Sequence, residues 1–555
     1  MSEGAGADRG LLRLADAILI PPFPGLCAPA WIQRALDRGL AGVTLFGQNI
    51  AAPEQVRSLT AALREAVMGG AAAGDPVIAI DEEGGDVTRV AFSSGSPYPG
   101  NAALGAVDDV SLTEAVYLAM GAELASLGVN VDLAPCADVL DAADSPAVGT
   151  RSFGPDTDLV SRHIAAAVTG LQEAGVAACT KHFPGHGRTR TDTHHAIATI
   201  EGSLDDLRRL DLPPFTAAIR AGTIAIMPSH LRVPQLTGDR PASVSGAAIT
   251  GLLRGELGFT GVIISDALEM RALRDAFGIP RAAALAVAAG TDLLCLGRDG
   301  GEEDYLAVRD ALVSAVHDGT LAGARLEEAA DRVARLRGGL ARARPVPSAG
   351  RDPAEGTGVG LAAARRAARM SGQRPELSNP LIIEAEPGEN IAAGRFTWGL
   401  DPWAPAGAVR RVHATAGLAA GILEASAGRS LVVVVRDAHR DQESRSLLDA
   451  LLAARPDMVL VEMGLPLWRP PDGTCYLATF GASRASGQAA AELLGLVAVA
   501  GLGFASGCQA WLGLRAEAGQ QVDVIGGDDV AIVGVDVPRR PEGAEYLRAL
   551  DVVER

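Results

Sequence analysis

One unit of the pattern that predicts the fold is the stretch Gly175-Val176-Ala177-Ala178-Cys179-Thr180-Lys181-His182-Phe183-Pro184-Gly185-His186-Gly187. It begins as a short apolar run and delivers Lys181 and His182 where that run ends. Apolar runs of the same kind recur through the first half of the chain, with helix-forming stretches between most of them. The eight runs are 15–21, 42–46, 77–80, 129–133, 177–180, 224–228, 262–265 and 292–296. Continuous apolar strands that alternate with helices predict a parallel sheet covered on both faces, and eight such units predict an α/β fold with a TIM-like (β/α)8 barrel.

The ends of these predicted strands carry the candidate chemistry. In a barrel of this kind, catalytic groups lie at the carboxyl ends of the strands. Polar residues lie near or directly after the ends of five of the runs: Asp81-Glu82-Glu83, Asp132, Lys181-His182, Ser229-His230 and Asp266. We therefore expect the functional site at this end of the barrel.

The rest of the chain predicts a second α/β domain. Prolines and glycines break the pattern at 341–379, which predicts a linker between a barrel domain at 1–340 and a C-terminal domain at 380–555. In the C-terminal part, apolar runs again alternate with helical stretches, as is typical of an α/β sandwich. The predicted strands are 381–384, 431–435, 458–462 and 476–480, with a strand-like run at 530–535. The segment 520–555 has no assigned role.

Charge and hydropathy argue against several classes of partner. The formal net charge of −18 leaves no basic surplus to neutralise phosphates, so neither nucleic acid nor an anionic membrane is an expected partner. No apolar run approaches the roughly 20 residues that span a bilayer, and the N-terminal residues lack the apolar core of a secretory signal. Six scattered cysteines, none in a CxxC pair, are typical of reduced thiols. Together these features predict a cytoplasmic protein.

Asp266 is the first candidate for catalysis, because it ends the apolar run at 262–265. A carboxylate at a barrel mouth can attack the anomeric carbon of a sugar and hold the sugar covalently. Asp is also a favourable N-cap for the helix that follows such a strand. The sequence leaves both roles open.

The histidine-rich loop supplies a candidate proton donor. A retaining glycosidase needs an acid on the leaving oxygen, and a histidine can serve when a carboxylate orients it. Asp192 and His194 are two residues apart on this loop and can form such a pair. The histidines could instead satisfy buried loop backbone.

A metal site is the remaining interpretation of the histidines. His182 and His186 could bind zinc if they lay on a helix, but Pro184 and Gly185 between them oppose a helix. We therefore predict neither a metal ion nor another cofactor.

The segment from Asp81 to Arg89 combines acidic residues, a double glycine and an arginine. A carboxylate beside an arginine suits the binding of vicinal sugar hydroxyls, and the glycines allow close approach of the backbone. As an isolated acidic turn, this segment is a weak signal.

Taken together, these segments resemble glycoside hydrolase family 3, and within it the bacterial β-N-acetylglucosaminidases. The matching strings are D-x-E-G-G-x-V-x-R (81–89), A-P-x-x-D-V (134–139), R-S-F-G (151–154), K-H-F-P-G-H-G (181–187), D-[ST]-H (192–194) and S-D-x-x-x-M (265–270). They occur in the family's order within about residues 10–340. The D-[ST]-H loop is typical of the N-acetylglucosaminidase branch, whereas family β-glucosidases take their acid from a glutamate outside the barrel.

The resemblance implies a role for each matching residue. It implies that Asp266 is the nucleophile and that His194, with Asp192 as its partner, is the general acid/base. His195 repeats the histidine and is the alternative to His194. The implied sugar-binding residues are Asp81, Arg89, Arg151, Lys181, His182 and, near the sugar pocket, His230.

The implied activity is that of a retaining exo-β-N-acetylglucosaminidase acting on a terminal β-linked GlcNAc. Three alternatives stay open. A phosphorylase is one, because a histidine base repels phosphate less than a carboxylate does. A β-glycosidase for glucose or a modified sugar and a non-catalytic sugar-binding protein are the others. The sequence leaves the aglycone and the oligomeric state open.

Overall fold

The described part of the chain has two layers of β-strands, each covered by helices. The first layer has eight strands and the second, C-terminal layer has six. The computed structural model describes residues 2–68, 74–141, 145, 147–189, 197–342, 353–386 and 399–497. The strands of the first layer are β1 (Leu19–Ile20), β2 (Gly42–Leu45), β3 (Val77–Ile80), β4 (Val131–Asp132), β5 (Ala177–Phe183), β6 (Ala225–Pro228), β7 (Val262–Ile263) and β8 (Leu294–Cys295).

These eight strands curl into a TIM-like barrel. Strands β2 to β7 form one parallel sheet in chain order, and β1 pairs with β8 in a separate parallel ladder. A parallel bridge between Ile264 and Leu293 links β7 to β8, and the Thr44 amide donates to the Pro21 carbonyl between β2 and β1. Every residue of the eight strands is buried, as parallel strands covered by helices require. The predicted fold class is confirmed.

One helix precedes the first strand, and helices follow most of the strands. They are α1 (Ser2–Asp16), α2 (Ala30–Arg38), α3 (Pro53–Met68), α4 (Asn101–Val107), α5 (Val110–Ser126), α6 (Thr157–Glu173), α7 (Leu204–Asp206), α8 (Leu212–Arg220), α9 (Pro234–Thr237), α10 (Arg271–Phe277), α11 (Ile279–Ala289), α12 (Glu302–His317) and α13 (Gly323–Arg342). Side-chain caps set some of the starts: Asp109 accepts from the Leu112 amide at α5, and Asp156 accepts from the Leu159 amide at α6.

The helical stretch that follows β5 is divided into three pieces. A π-helical turn, Leu207–Asp211, separates α7 from α8. Pro213 and Pro214 stand at the start of α8, and because proline has no amide hydrogen they cannot continue the preceding ladder of hydrogen bonds.

The second layer is a six-stranded sheet in the order β11-β10-β12-β13-β14-β9. Its strands are β9 (Arg369–Ser371), β10 (Leu381–Glu386), β11 (Val409–His413), β12 (Leu431–Val435), β13 (Val459–Glu462) and β14 (Cys475–Ala478). Its helices are α14 (Pro353–Ala367), α15 (Ala419–Ala425), α16 (Gln442–Ala454) and α17 (Arg484–Leu493). All strand pairs are parallel except β9 with β14.

The pattern of buried apolar runs missed the two edge strands. β11 is only partly buried and carries two exposed arginines, and β9 has three residues of which none is buried. β9 lies within the predicted linker at 341–379, yet it is hydrogen-bonded into the second sheet. The predicted domain boundaries stay a prediction, and the strand-like run at 530–535 lies outside the described residues.

The second layer packs against the barrel. Helix α14 contacts α4 and α5 of the barrel and α17 of the second layer. Leu140 and Val148 of the barrel share one buried apolar cluster with Val433 and Phe480 of the second layer. None of the described helices combines the length and the apolar character that crossing a membrane requires.

Candidate active site

Lys181 is the centre of a buried charge cluster at the carboxyl ends of the barrel strands. It lies in β5, and its Nζ is 2.6 Å from Asp81 Oδ1 and 2.7 Å from Glu83 Oε1. Both carboxylates follow β3, which lies two places away in the sheet. The lysine side chain is only 3% exposed, so its ammonium group depends on these two partners.

Arg151 is the second cation of the cluster. It ends the 3-10 turn Gly149–Arg151, and its Nε and Nη2 donate to the two oxygens of Glu83 at 2.8 and 2.7 Å. Its Nη1 donates to the Ala147 carbonyl at 2.8 Å. Glu83 is therefore shared by two cations that come from different segments of the chain.

These contacts keep the cluster charged at neutral pH. Burial alone raises the pKa of Glu83, but the charges of Arg151 and Lys181 hold that pKa well below its ordinary range. Burial lowers the pKa of Lys181, but Asp81 and Glu83 outweigh it and leave that pKa above its ordinary value. The site thus presents fixed carboxylates and fixed cations side by side.

Asp138 orients the His182 ring. The ring Nδ1 lies 2.7 Å from Asp138 Oδ2, and the other oxygen of Asp138 accepts from the His186 amide at 2.7 Å. Burial raises the pKa of Asp138, but His182 and His186 bring it below its ordinary value, so the carboxylate only accepts hydrogen bonds. Nδ1 of His182 therefore donates to Asp138, and Nε2, which is 3.3 Å from Arg151 Nη2, accepts from the guanidinium.

The same place holds the candidate metal ligands of the described residues. Donor atoms of Cys136, Asp138 and His182 lie within 4.8 Å of one another, and all three residues are buried. Cys136 Sγ donates to Asp138 at 3.2 Å, and Asp138 is bonded to His182 as described. Each of the three groups thus has a protein partner, and the guanidinium of Arg151 beside them disfavours a further cation.

Glu82 supports the loop from the protein interior. Its Oε2 accepts from the amides of Arg89 and Val90 at 2.8 and 3.0 Å, and its own amide donates to Asp132 at 3.0 Å. Burial raises the pKa of Glu82 to about 7. The side chains of Arg89 and Asp81, 3.8 Å apart, are 14% and 20% exposed and lie at the open edge of the cluster.

Asp266 follows β7, and the residue is partly exposed. Helix α10 begins at Arg271 with Met270 at the capping position, so Asp266 is not the N-cap of that helix. Burial raises the pKa of the Cys295 thiol to about 12, and the charges of Asp81 and Asp266 both add to that rise. Asp81 and Asp266 follow the carboxyl ends of the parallel strands β3 and β7, so they lie at the same end of the barrel.

His230 is fully buried beside this segment. Its Nδ1 is 2.8 Å from the Ser243 hydroxyl, and its Nε2 is 3.0 Å from the carbonyl oxygen of Ala267. Because that carbonyl only accepts, Nε2 carries the proton and holds the residue after Asp266 in place.

Asp192, His194 and His195 lie outside the described residues, so their arrangement stays a prediction. The chain that leads to them is closely packed. A methyl group at Gly187 would collide with the carbonyl oxygen of Val139, and one at Gly185, where φ is +128°, would lie 2.8 Å from Cβ of Asp211. Packing therefore requires glycine at both positions.

Glu83 and Asp138 are absent from the site residues inferred from sequence, although the structure gives them central contacts. Both belong to the motif strings, Glu83 as the glutamate of D-x-E-G-G and Asp138 as the aspartate of A-P-x-x-D-V. Their position in those strings was the available signal. The structure brings together Asp81, Arg89, Arg151, Lys181 and His182, with Asp266 and His230 on neighbouring strand ends.

This arrangement suits a neutral ligand rich in hydroxyl groups. Carboxylates accept hydrogen bonds from hydroxyls, whereas ammonium and guanidinium groups donate to them, so alternating charges can satisfy vicinal hydroxyls. Asp266, a carboxylate at another strand end of the barrel, adds a candidate nucleophile.

Known proteins resemble the chain in sequence. A model of the glycosyl hydrolase family 3 N-terminal domain matches residues 30–336. A β-hexosaminidase of Stenotrophomonas maltophilia (strain K279a) is 38% identical over 270 residues, which are 48% of this chain and 77% of that protein. The β-hexosaminidase LpqI of Mycobacterium tuberculosis (strain ATCC 25618 / H37Rv) is 36% identical over 295 residues, which are 52% of this chain and 73% of that protein.

A solved structure extends the likeness to the second layer. A glycoside hydrolase family 3 β-N-acetylglucosaminidase from Paenibacillus sp. str. FPU-7 matches with a TM-score of 0.76 and 30% sequence identity, over 88% of this chain and 97% of that chain. The family model covers more than half of the sequence. The chain therefore belongs to glycosyl hydrolase family 3.

Proposed function

We propose that this protein is a retaining exo-β-N-acetylglucosaminidase that removes a terminal β-linked GlcNAc. Its family and the β-hexosaminidase names of its relatives support this activity. The observation that carries the proposal is the buried cluster of Lys181, Glu83, Asp81 and Arg151 at the barrel mouth. It offers the alternating donors and acceptors that a sugar ring needs, beside a candidate nucleophile.

The proposed reaction has two steps. Asp266 Oδ forms a bond to C1 of the sugar while the C1–O bond to the aglycone breaks, and His194, oriented by Asp192, gives a proton to the leaving oxygen. Water then attacks C1 while His194 takes its proton, the bond to Asp266 breaks, and the product keeps the β configuration.

The proposed sugar contacts follow from the positions of the charges. Asp81 and Arg89, at the open edge of the cluster, bind hydroxyls directly. Lys181, Arg151 and His182 lie behind them with their own partners, so they fix the shape of the site, and the ammonium and guanidinium groups offer their remaining donors. His230 acts through the segment after Asp266.

The first experiment compares two substrates. Release of p-nitrophenol is measured from the aryl β-N-acetylglucosaminide and from the matching β-glucoside, each with and without phosphate. The proposal expects release from the GlcNAc substrate alone, without dependence on phosphate. Release that needs phosphate would indicate a phosphorylase, and no release from either substrate would contradict the proposed activity.

Asp266→Asn should lower kcat on the aryl GlcNAc substrate by at least about 10³-fold, because the amide cannot form the glycosyl ester. Asp299→Asn is the control, since Asp299 is an exposed residue of the loop after β8 that pairs with Arg298. Undiminished turnover by a folded Asp266→Asn protein would overturn the role of Asp266.

His194→Ala should slow substrates with poor leaving groups more than those with good leaving groups, because only the former need a proton in the first step. The measurement is kcat/KM across aryl GlcNAc substrates of different phenol pKa. An equal effect on all of them would contradict the acid role, and His195→Ala is the matched comparison.

A further inference from the structure

Asp86 joins the loop at 81–91, the sugar-site loop, to the second, C-terminal layer. It follows Glu83 by three residues in the loop that also carries Asp81 and Arg89. Nη2 of Arg436 donates to Asp86 Oδ2, and Arg436 comes directly after strand β12. The side chains of Arg436 and Asp86 are 6% and 3% exposed, so this ion pair between the two layers is almost completely removed from water.

The Asp86 carboxylate also accepts hydrogen bonds from two further segments. Its Oδ1 accepts from the Ala482 amide of the C-terminal layer at 2.9 Å, and its Oδ2 accepts from the Thr150 hydroxyl. Thr150 immediately precedes Arg151, whose guanidinium binds both oxygens of Glu83. One side chain therefore connects the loop that carries Glu83 with the turn that carries the partner of Glu83.

Arg436 is itself held firmly. Its Nε lies 3.6 Å from Asp437 Oδ2, and Oδ1 of Asp437 accepts from the Leu465 amide at 2.8 Å. The amides of Asp437 and Ala438 donate to the buried carboxyl group of Glu462 at 2.7 and 3.1 Å. The guanidinium thus extends from a rigid strand end, which makes it suitable for fixing a loop of the other layer.

We propose that Arg436 is a positioning residue of the sugar site, through which the C-terminal layer holds Asp86 and thereby the places of Glu83 and Arg151. It does not touch the substrate. The proposal rests on the proposed function for its kinetic readout only. A second layer that merely covered the barrel would not need a buried ion pair directed at this loop, because such a pair is often no more stabilising than well-packed apolar side chains.

The test compares four variants of the full chain. Arg436→Met removes the charge and keeps a similar length of side chain, and Arg436→Lys restores a charge without the planar fork. Arg366→Met is the interface control, because it breaks another ion pair, Arg366 with Asp109 at 2.7 Å, which joins α14 to the start of α5. Arg455→Met removes the ion pair with Asp457 inside the C-terminal layer and controls for loss of stability.

We expect Arg436→Met to lower kcat/KM on the aryl GlcNAc substrate by about 10- to 100-fold, chiefly through a higher KM. The loss should be the same for good and poor leaving groups, since no proton donor is removed. Arg436→Lys should recover part of it. Arg366→Met and Arg455→Met should change kcat/KM less than about threefold, because neither arginine contacts the sugar-site loop. A folded Arg436→Met protein with the KM and kcat of the unchanged protein would overturn the proposal.

Hydrogen–deuterium exchange of the same proteins separates this proposal from the proposed activity. Arg436→Met should increase amide exchange in 81–91 and 147–153, and the two control variants should not. If the unchanged protein has no activity on aryl glycosides, the proposed function fails while the exchange result still decides the positioning role. If Arg436→Met does not fold, Asp86→Asn is measured in its place and should show the same increase. Unaltered exchange in both segments would contradict the proposal.

Discussion

Glu83 of the barrel and Glu462 of the C-terminal layer occupy similar places but have different partners. Each stands at or just beyond the carboxyl end of a buried parallel strand, and they are 3% and 1% exposed. Glu83 binds two cations, Lys181 and Arg151. Glu462 instead accepts three backbone amides, those of Asp437, Ala438 and Gly464.

The difference in partners sets the charge of each group. The two cations outweigh burial and keep the pKa of Glu83 below its ordinary range. Burial and the neighbouring Asp437 raise the pKa of Glu462 above its ordinary value. A glutamate at a similar strand end thus belongs to a charged ligand site in the barrel, whereas in the C-terminal layer it holds loop backbone through hydrogen bonds.

The largest expected effect is that of Glu83→Gln. The variant leaves Arg151 without its bidentate partner in a buried place, so the free energy of unfolding should fall by about 3–5 kcal/mol. Urea unfolding at pH 7 measures this, and kcat/KM on the aryl GlcNAc substrate should fall with it. A variant as stable as the unchanged protein would show that the two cations do not depend on Glu83.

Glu82→Gln tests a carboxyl group that lies beside this cluster but accepts from backbone amides. Its pKa rises from the ordinary 4.5 to about 7 on folding, so the folded protein holds the proton more tightly than the unfolded chain. The free energy of unfolding should therefore fall, by up to about 3 kcal/mol, as the pH rises from about 4.5 to about 7. Glutamine has no proton to lose, so the variant should lack this fall.

Urea unfolding at pH 5 and pH 8 measures the Glu82 effect. The free energy of unfolding of Glu82→Gln minus that of the unchanged protein should be larger at pH 8 than at pH 5. The amide oxygen of glutamine can still accept from the Arg89 and Val90 amides, which both reach one oxygen of Glu82. An equal difference at both pH values would show that Glu82 does not titrate in this range.

Glu462→Gln should have the smallest effect. The raised pKa already favours the neutral form, and glutamine keeps an oxygen for the Asp437 and Gly464 amides, which share Oε1. Only the bond from the Ala438 amide to Oε2 is lost, so the free energy of unfolding at pH 7 should fall by about 1–2 kcal/mol. A loss as large as that of Glu83→Gln would mean that burial, and not the charge of the partners, decides the cost.

Much of the fold was predictable because its strands are continuous apolar runs. The predicted run 77–80 is β3 itself, and the stretch 431–435 is β12 itself. The edge strands β9 and β11 escaped because an edge strand needs no apolar side chains on its open face. The family was also predictable, because six ordered motif strings are specific together.

Several residues of the described cluster were predictable, but their pairings were not. Asp81, Lys181 and Arg151 were found because polar residues at strand ends or in motifs stand out in sequence. The sequence did not reveal that Glu83, and not only Asp81, binds Lys181, or that Asp138 orients His182. Such partners come from different strands, and hydrophobic periodicity contains no information about contacts between them.

The sequence alone predicts the order of the barrel strands, the end of the barrel that carries the polar residues, and the family. The pairing of the buried charges is seen only in the folded protein. The pair of Asp86 and Arg436 joins residues 350 positions apart and exists because two sheets meet at that place. The physical reason is that apolar patterning is local along the chain, whereas a buried charge is stable only when folding brings a partner to it.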